Sequence, residues 1–367
     1  MAENTSDLSA AVPGAADQPE TFDEPRHADR AKTVGQLSEA ELLAEIFPLL
    51  SGSSSLLLGP GDDAAIIAAP DGRTVISIDT QVQDQDFRLA WNNGYSSTGF
   101  DVGWKAAAQN LSDINAMGAV PSGLVVSLTM PPQTSVEWVK DLARGLSEAI
   151  RELGADRCAV AGGDLSAGRE LVITVAVLGD LEGRSPLRRS GGAAGNQLAV
   201  GGVLGRAAAG WALLESEHPM SSLNADQLAL VNSFRCPRPP LSLGPLAARA
   251  GATAMLDISD GLVRDAGRLA QASGVLIDLD PLALRAFIEP LSSAAQLLGC
   301  EARDWVLSGG EDHGLLCTFP GDIPLPPGFT TIGSVRSKAD TASAEPELWV
   351  TVGGQRSDTV GWDHFAD

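Results

Sequence analysis

The sequence predicts an α/β protein of the α+β type, built as two mixed domains behind a short tail. Three observations predict it. At 367 residues the chain exceeds one average domain and suits two, each able to bury its own core. Apolar β-branched runs alternate with amphipathic helical stretches along most of its length. A polar connector, Gly183-Arg184-Ser185-Pro186 through Gly195, interrupts that alternation near the middle. The expected division is a tail over residues 1–34, a first domain over 35–183 and a second over 184–367.

The tail is rich in Ala, Ser, Asp, Glu and Pro and has no periodic apolar face, so it has little to bury against the entropy of ordering. Order is expected from Ser38-Glu39-Ala40-Glu41, a capping box opening a helix through Leu50. Strands are expected at Thr74 to Thr80, Leu124 to Met130 and Leu171 to Leu178, with helices at Phe100 to Met117 and Ser135 to Leu153. Pro121 soon after Gly118 stops the first of those helices. In the second half, strands are expected at Gln197 to Val200, Val275 to Leu279 and Leu315 to Phe319. Helices are expected near Leu204 to Leu214, Pro240 to Ala250, Leu262 to Ala272 and Leu282 to Leu298.

Composition narrows the function. A net charge of −22 argues against nucleic acid or an anionic membrane as partner, because phosphate backbones need Lys/Arg patches. Small phosphorylated ligands remain open, since divalent cations reverse the sign of an acidic site. No run approaches ~18 uninterrupted apolar residues. No basic segment followed by an apolar core marks a secretory signal, so a cytoplasmic enzyme is expected. Cys158, Cys236, Cys300 and Cys317 are widely spaced, form no CxxC pair and read as reduced packing thiols.

Six acidic motifs, most of them beside glycine, carry the chemistry. Gly59-Pro60-Gly61-Asp62-Asp63-Ala64-Ala65 lets the backbone bend sharply beside adjacent carboxylates, although a surface turn needs the same residues. Ser77-Ile78-Asp79-Thr80 places a carboxylate at the expected end of a strand, where metal ligands are common. Asn110-Leu111-Ser112-Asp113-Ile114-Asn115-Ala116-Met117-Gly118-Ala119 is more specific. Asp113 falls inside an Ala-rich helix where it caps nothing, and its neighbours Ile114, Ala116 and Met117 suit burial. A partly buried carboxylate needs a partner, and a metal is a good one.

Ala161-Gly162-Gly163-Asp164 offers bare backbone to a phosphate or forms a hairpin turn. Asp257-Ile258-Ser259-Asp260-Gly261-Leu262 opens a helix whose N-terminus suits phosphate, with Asp260 also adequate as an N-cap. Ser308-Gly309-Gly310-Glu311-Asp312-His313 repeats the pattern of two glycines before acid. Arg189 in the connector is a candidate cation for phosphate oxygens. With only 25 Lys+Arg in the chain, several Mg²⁺ ions held by Asp oxygens are the physical way to neutralise clustered phosphates.

In this order and spacing, GPGDDAA, NLSDINAMGA, GGDLSAG, DISDGL and SGGEDH resemble thiamine-monophosphate kinase. That family belongs to the aminoimidazole ribonucleotide synthetase-like superfamily, with selenophosphate synthetase. The likeness runs from about Ala40 to the terminal Gly361-Trp362-Asp363-His364-Phe365. It implies transfer of the ATP γ-phosphoryl to thiamine monophosphate, giving thiamine diphosphate, in line and without a phosphoenzyme or general base. Asp63, Ser77, Ile78 (through its carbonyl), Asp79, Asp113, Asp164, Asp257 and Asp260 would hold Mg²⁺. Gly163, Asp164, Arg189 and Ser259 would bind ATP, and Asp86, Glu311 and Trp362 the acceptor, where an aromatic face suits a cationic ring. A homodimer paired through the N-terminal domain is also implied.

Three residues depart from the family pattern. Ile78 stands where Thr is frequent, Asp86 replaces a His and His313 replaces a common Tyr. Two competing readings are another ATP-dependent synthetase of the same superfamily and a non-catalytic nucleotide or metal sensor; the terminal GWDHF and the intact Asp set speak against them.

Overall fold

A capping box opens the first α-helix where the sequence places it: Ser38 accepts from the Glu41 amide, and the Glu41 carboxylate takes the Ser38 amide at 2.8 Å. The computed structural model describes residues 32–50, 52–58, 66–340, 348–357 and 361. Nearly all of the expected tail, the GPGDDAA motif with Asp63, and Trp362 lie outside the described residues.

The first half runs α1 (Glu39–Ile46), β1 (Leu56–Leu58), β2 (Ile66–Ile67), β3 (Val75–Val82), α2 (Gly99–Ala116), β4 (Val120–Met130), α3 (Val136–Glu152), β5 (Val160–Ala167) and β6 (Val172–Asp180). Strands β3, β6, β4 and β5 form one sheet in that spatial order, with β4 and β5 parallel. The second half runs β7 (Gln197–Gly201), α4 (Arg206–Glu215), α5 (Ala225–Arg235), α6 (Leu243–Arg249), β8 (Ala254–Asp257), α7 (Leu262–Ser273), β9 (Val275–Leu279), α8 (Arg285–Ile288), α9 (Ser292–Leu298), α10 (Ala302–Ser308), β10 (Leu315–Phe319), β11 (Phe329–Ser337), β12 (Val350–Val352) and β13 (Gln355–Arg356). Its seven strands form a second sheet, ordered β13-β12-β9-β11-β7-β10-β8. The fold is thus mixed α/β, as expected, with these two sheets and a small antiparallel pair of β1 and β2.

Helix α2 is the element between them. All but three of its eighteen residues are buried. It packs on α3 so closely that glycine is required: a Cβ on Gly103 would meet the Leu142 carbonyl at 2.1 Å, and one on Gly145 the Phe100 carbonyl at 2.2 Å. Its far end touches the second sheet through β8 and α6.

Period-2 alternation sorts the four-stranded sheet into two faces. Asp79, Val175, Val126 and Gly163 are register partners in one row, on the side that packs against the helices. Ile78, Ala176, Val125 and Gly162 form the adjacent row on the opposite side. That side is open: Ile76 is 70% exposed and Ile78 64%.

Several expected elements need correction. Ser77 to Thr80 lies in the middle of β3, not at its end. Gly162, Gly163 and Asp164 lie inside β5, neither a hairpin nor a loop, because parallel pairing with β4 extends the chain there. The helix expected over Leu282 to Leu298 is broken into α8, a 3-10 turn and α9, since Pro290 supplies no amide to continue it. Helices α5 and α10 and strands β11 to β13 had no expectation. Among the described residues no helix is long and apolar enough to cross a membrane.

Candidate active site

Where α2 meets both sheets, two consecutive side chains reach in different directions. Asp113 turns to β3, where Ser77 Oγ donates to Asp113 Oδ2 at 2.5 Å. Ser112 turns to β8, donating to Asp257 Oδ2 at 2.9 Å. Asp79 stands two residues beyond Ser77 on the same face of β3, beside Asp113. Three motifs that are far apart in sequence therefore converge, and their carboxylates repel one another. Burial first, then Asp257 and Asp79, push the Asp113 carboxyl up to about 7. Burial likewise raises Asp79, with Asp257 adding to the effect.

His313 closes the cluster from the second sheet. Its Nδ1 lies 3.4 Å from Asp257 Oδ2, and its Nε2 is buried without a hydrogen-bond partner. Burial pulls the imidazole down, but the Asp257 carboxylate outweighs it and raises His313 above its usual value.

The DISDGL and SGGEDH motifs are packed backbone on backbone, which explains their glycines. A Cβ on Gly310 would meet the Ser259 carbonyl at 2.2 Å, and one on Gly261 the Ser308 carbonyl at 2.4 Å. The Glu311 amide donates to the Ser259 carbonyl at 2.9 Å, and that of His313 to the Ile258 carbonyl at 3.1 Å. Holding this contact puts Glu311 (φ 65°) and His313 (φ 53°) in the left-handed region, a strained conformation of the kind that gathers at functional sites.

Asp260 is not the N-cap of α7, a correction to the sequence reading; that place falls to Gly261, with no side-chain cap. Asp265 holds the turn from within the helix, its Oδ2 accepting from the Ser259 and Asp260 amides at 3.1 and 2.9 Å. Burial raises Asp265 to about 6. Arg268 bridges the pair, 2.6 Å from Asp260 and 2.7 Å from Asp265.

Not every candidate joins the cluster. Asp164 pairs in register with Ser127, in the row of Thr80 and Thr174, so it lies on the opposite sheet face from Asp79. Gly163 is accounted for by the fold, since a Cβ there would meet the Val126 carbonyl at 2.0 Å; the space beside Gly162 is open. Arg189 is exposed, its carbonyl taking the Ser273 hydroxyl at 2.8 Å. Asp86 lies in the turn after β3, its carboxylate accepting from the Val82 amide at 2.7 Å and its own amide donating to the Val82 carbonyl at 3.0 Å. Gly361 returns to this region: a Cβ on it would meet the Asp260 carbonyl at 2.3 Å.

Sequence reasoning missed Lys105, a large side chain that is fully buried. Its Nζ lies 2.7 Å from Glu311 Oε1 and 2.8 Å from the Asp86 carbonyl. The signal was there to be used, a charge inside an Ala-rich helix, the same argument that singles out Asp113.

Buried carboxylates that repel one another, with no lysine or arginine ion-paired to Asp79 or Asp113 among the described residues, suit a divalent cation. Among the described residues no three side chains of metal-binding type already stand at ligating spacing.

An acidic cluster of this kind, on a mixed sheet with an AIR synthase-related first domain, defines a class of protein. The family model for the AIR synthase related protein, N-terminal domain, matches residues 61–181. The thiamine-monophosphate kinase of Mycobacterium tuberculosis is 43% identical over 330 residues, covering 90% of this chain and 94% of that protein. That of Corynebacterium glutamicum is 40% identical over 83% of this chain and 87% of its own. Among solved structures, AaThiL complexed with AMPPCP and TMP superposes with a TM-score of 0.70 at 30% identity, covering 83% of this chain and 91% of that one. The chain belongs to the thiamine-monophosphate kinase family.

Proposed function

We propose that this protein transfers the γ-phosphoryl group of ATP to the phosphate of thiamine monophosphate, releasing thiamine diphosphate and ADP. The observation that carries the reading is the end-to-end likeness to thiamine-monophosphate kinases, 43% over nine-tenths of the chain. The geometry supports it. Asp79, Asp113 and Asp257 present carboxylates to one space, with Ser77, Ser112 and His313 orienting them. On this reading they hold Mg²⁺ together with Asp63 and Asp260, and the cation supplies neutralisation of the triphosphate and acceptor charges.

The acceptor phosphate is already an anion, so no side chain need remove a proton from it. What the chain contributes is placement: in-line transfer depends on holding two anionic groups together in the correct orientation. The packed Ser259 and Glu311 loops put the nucleotide and acceptor candidates side by side. Asp86 and Glu311 form the acceptor side with Trp362; Gly163, Asp164, Arg189 and Ser259 are assigned to ATP.

We further propose that residues 35–183 and 184–367 are the two domains, and that two chains pair through the open face of the four-stranded sheet. The exposed Ile76 and Ile78 support pairing, because contiguous apolar surface on a sheet is covered in most soluble proteins. Asp164, on that face, then borders the interface. The kinase reading is tested by supplying ATP and Mg²⁺ with either thiamine monophosphate or thiamine. Product with the monophosphate alone is expected; product with thiamine alone would reject the reading.

A further inference from the structure

Lys105 is 2% exposed, and three separate parts of the chain surround its ammonium. The Asp86 carbonyl accepts at 2.8 Å from the turn after β3. The Glu311 carboxylate lies at 2.7 Å, from the loop before β10. The face of Phe234, from α5, lies 3.9 Å away at its ring centre. Phe234 is itself fixed edge-on against Trp91 and Trp211, with ring centres 5.5 and 5.1 Å apart.

A buried ammonium is costly unless fully partnered, and an apolar side chain of similar length would fill the same space. Packing alone therefore does not account for a lysine here. Its partners are informative. Glu311 is held at a positive φ by the Ser259 contact, while its carboxylate stays 31% exposed. Asp86 and Glu311, the described acceptor-side candidates, lie 225 positions apart and share this one cation.

We propose that Lys105 is the positioning residue of the acceptor site: its ammonium fixes the Glu311 carboxylate and the Asp86 turn as one unit against which the organic cation of the substrate seats. This rests on the thiamine-monophosphate kinase reading. Lys105 offsets part of the Glu311 charge and sets its direction, so the carboxylate meets the substrate without reorganising. The described partners of the Lys105 ammonium are Glu311, Asp86 and Phe234, none of them a nucleotide candidate, so its loss should be felt on the acceptor side.

The test is steady-state kinetics of wild type, Lys105→Met, Lys105→Gln, Glu311→Gln and the Lys105→Met/Glu311→Gln pair, with thermal melts of each. Lys105→Met is expected to raise KM for thiamine monophosphate by roughly tenfold or more while KM for ATP stays within about twofold. Lys105→Gln should show the same selectivity with a smaller loss. In the Glu311→Gln background, Lys105→Met should add little, because the group it positions is already gone.

An unchanged KM for thiamine monophosphate in a folded variant, equal losses toward both substrates, or full additivity in the double variant would each overturn the proposal. Failure of both lysine variants to fold would make Lys105 a structural residue and overturn it too. If wild type itself does not phosphorylate thiamine monophosphate, the kinase reading fails and takes this inference with it; an active wild type beside a normal Lys105→Met rejects the inference alone.

Discussion

Ser112 and Asp257 are joined by a 2.9 Å hydrogen bond between the central helix and the second sheet. The next residue, Asp113, is bonded to the first sheet through Ser77. One helical step thus places a carboxylate from each sheet around a shared space. Ser112 is fully buried, so Ser112→Ala leaves the Asp257 oxygen with only the 3.4 Å His313 contact. A loss of about 1–3 kcal/mol in urea unfolding is expected for the under-satisfied group. A change within error would show that Ser112 does not couple the two sheets.

Asp113 is expected to behave in the opposite way. Burial and the neighbouring Asp257 and Asp79 destabilise its ionised form, so Asp113→Asn relieves repulsion in the unliganded protein. Turnover should fall by roughly a thousandfold or more, on the scale of losing an electrostatic stabiliser of the transition state, while the melting temperature is unchanged or higher. Near-normal turnover would remove Asp113 from the site.

The open sheet face gives a prediction about assembly. Ile78 points away from Asp79 and is 64% exposed, so Ile78→Glu costs the single chain little. Light scattering on a sizing column should show a dimer for wild type and a monomer for this variant. A monomeric wild type, or a variant that still dimerises, contradicts pairing through this face.

Asp312 provides a pH dependence. It is buried, its Oδ1 accepting from the Ala207 amide at 2.8 Å at the start of α4, and burial raises it to about 6 from an ordinary 3.8. Between those values the folded state holds more protons than the unfolded one, so this group's contribution to stability declines as pH rises from about 4 to about 6. The full difference corresponds to roughly 3 kcal/mol. Denaturant unfolding of Asp312→Asn should lack that slope; identical pH profiles for variant and wild type would exclude Asp312 as its source.

Local rules carried much of the fold. The Ser38 capping box, the strand over Val275 to Leu279 and that over Leu315 to Phe319 are where periodicity and composition put them. The β5 strand was hidden because Gly162-Gly163 reads as a turn, and only pairing with β4 makes it extended. At the site, most Asp motifs were visible as an acid beside glycine, and Asp113 as an acid inside an Ala-rich helix. What stayed hidden was contact between distant segments, Lys105 with Glu311 and Ser112 with Asp257, and the local closure of the Ser259 turn by Asp265. The opposite facing of Asp79 and Asp164 depends on strand register, which spacing within one motif does not encode.

The most direct measurement is transfer of label from γ-³²P-ATP to thiamine monophosphate by the purified chain, with and without Mg²⁺. The expected result is labelled thiamine diphosphate, formed only with Mg²⁺ and with no labelled protein along the way. No labelled thiamine diphosphate under any divalent cation, or equal yield in excess chelator, would contradict the account.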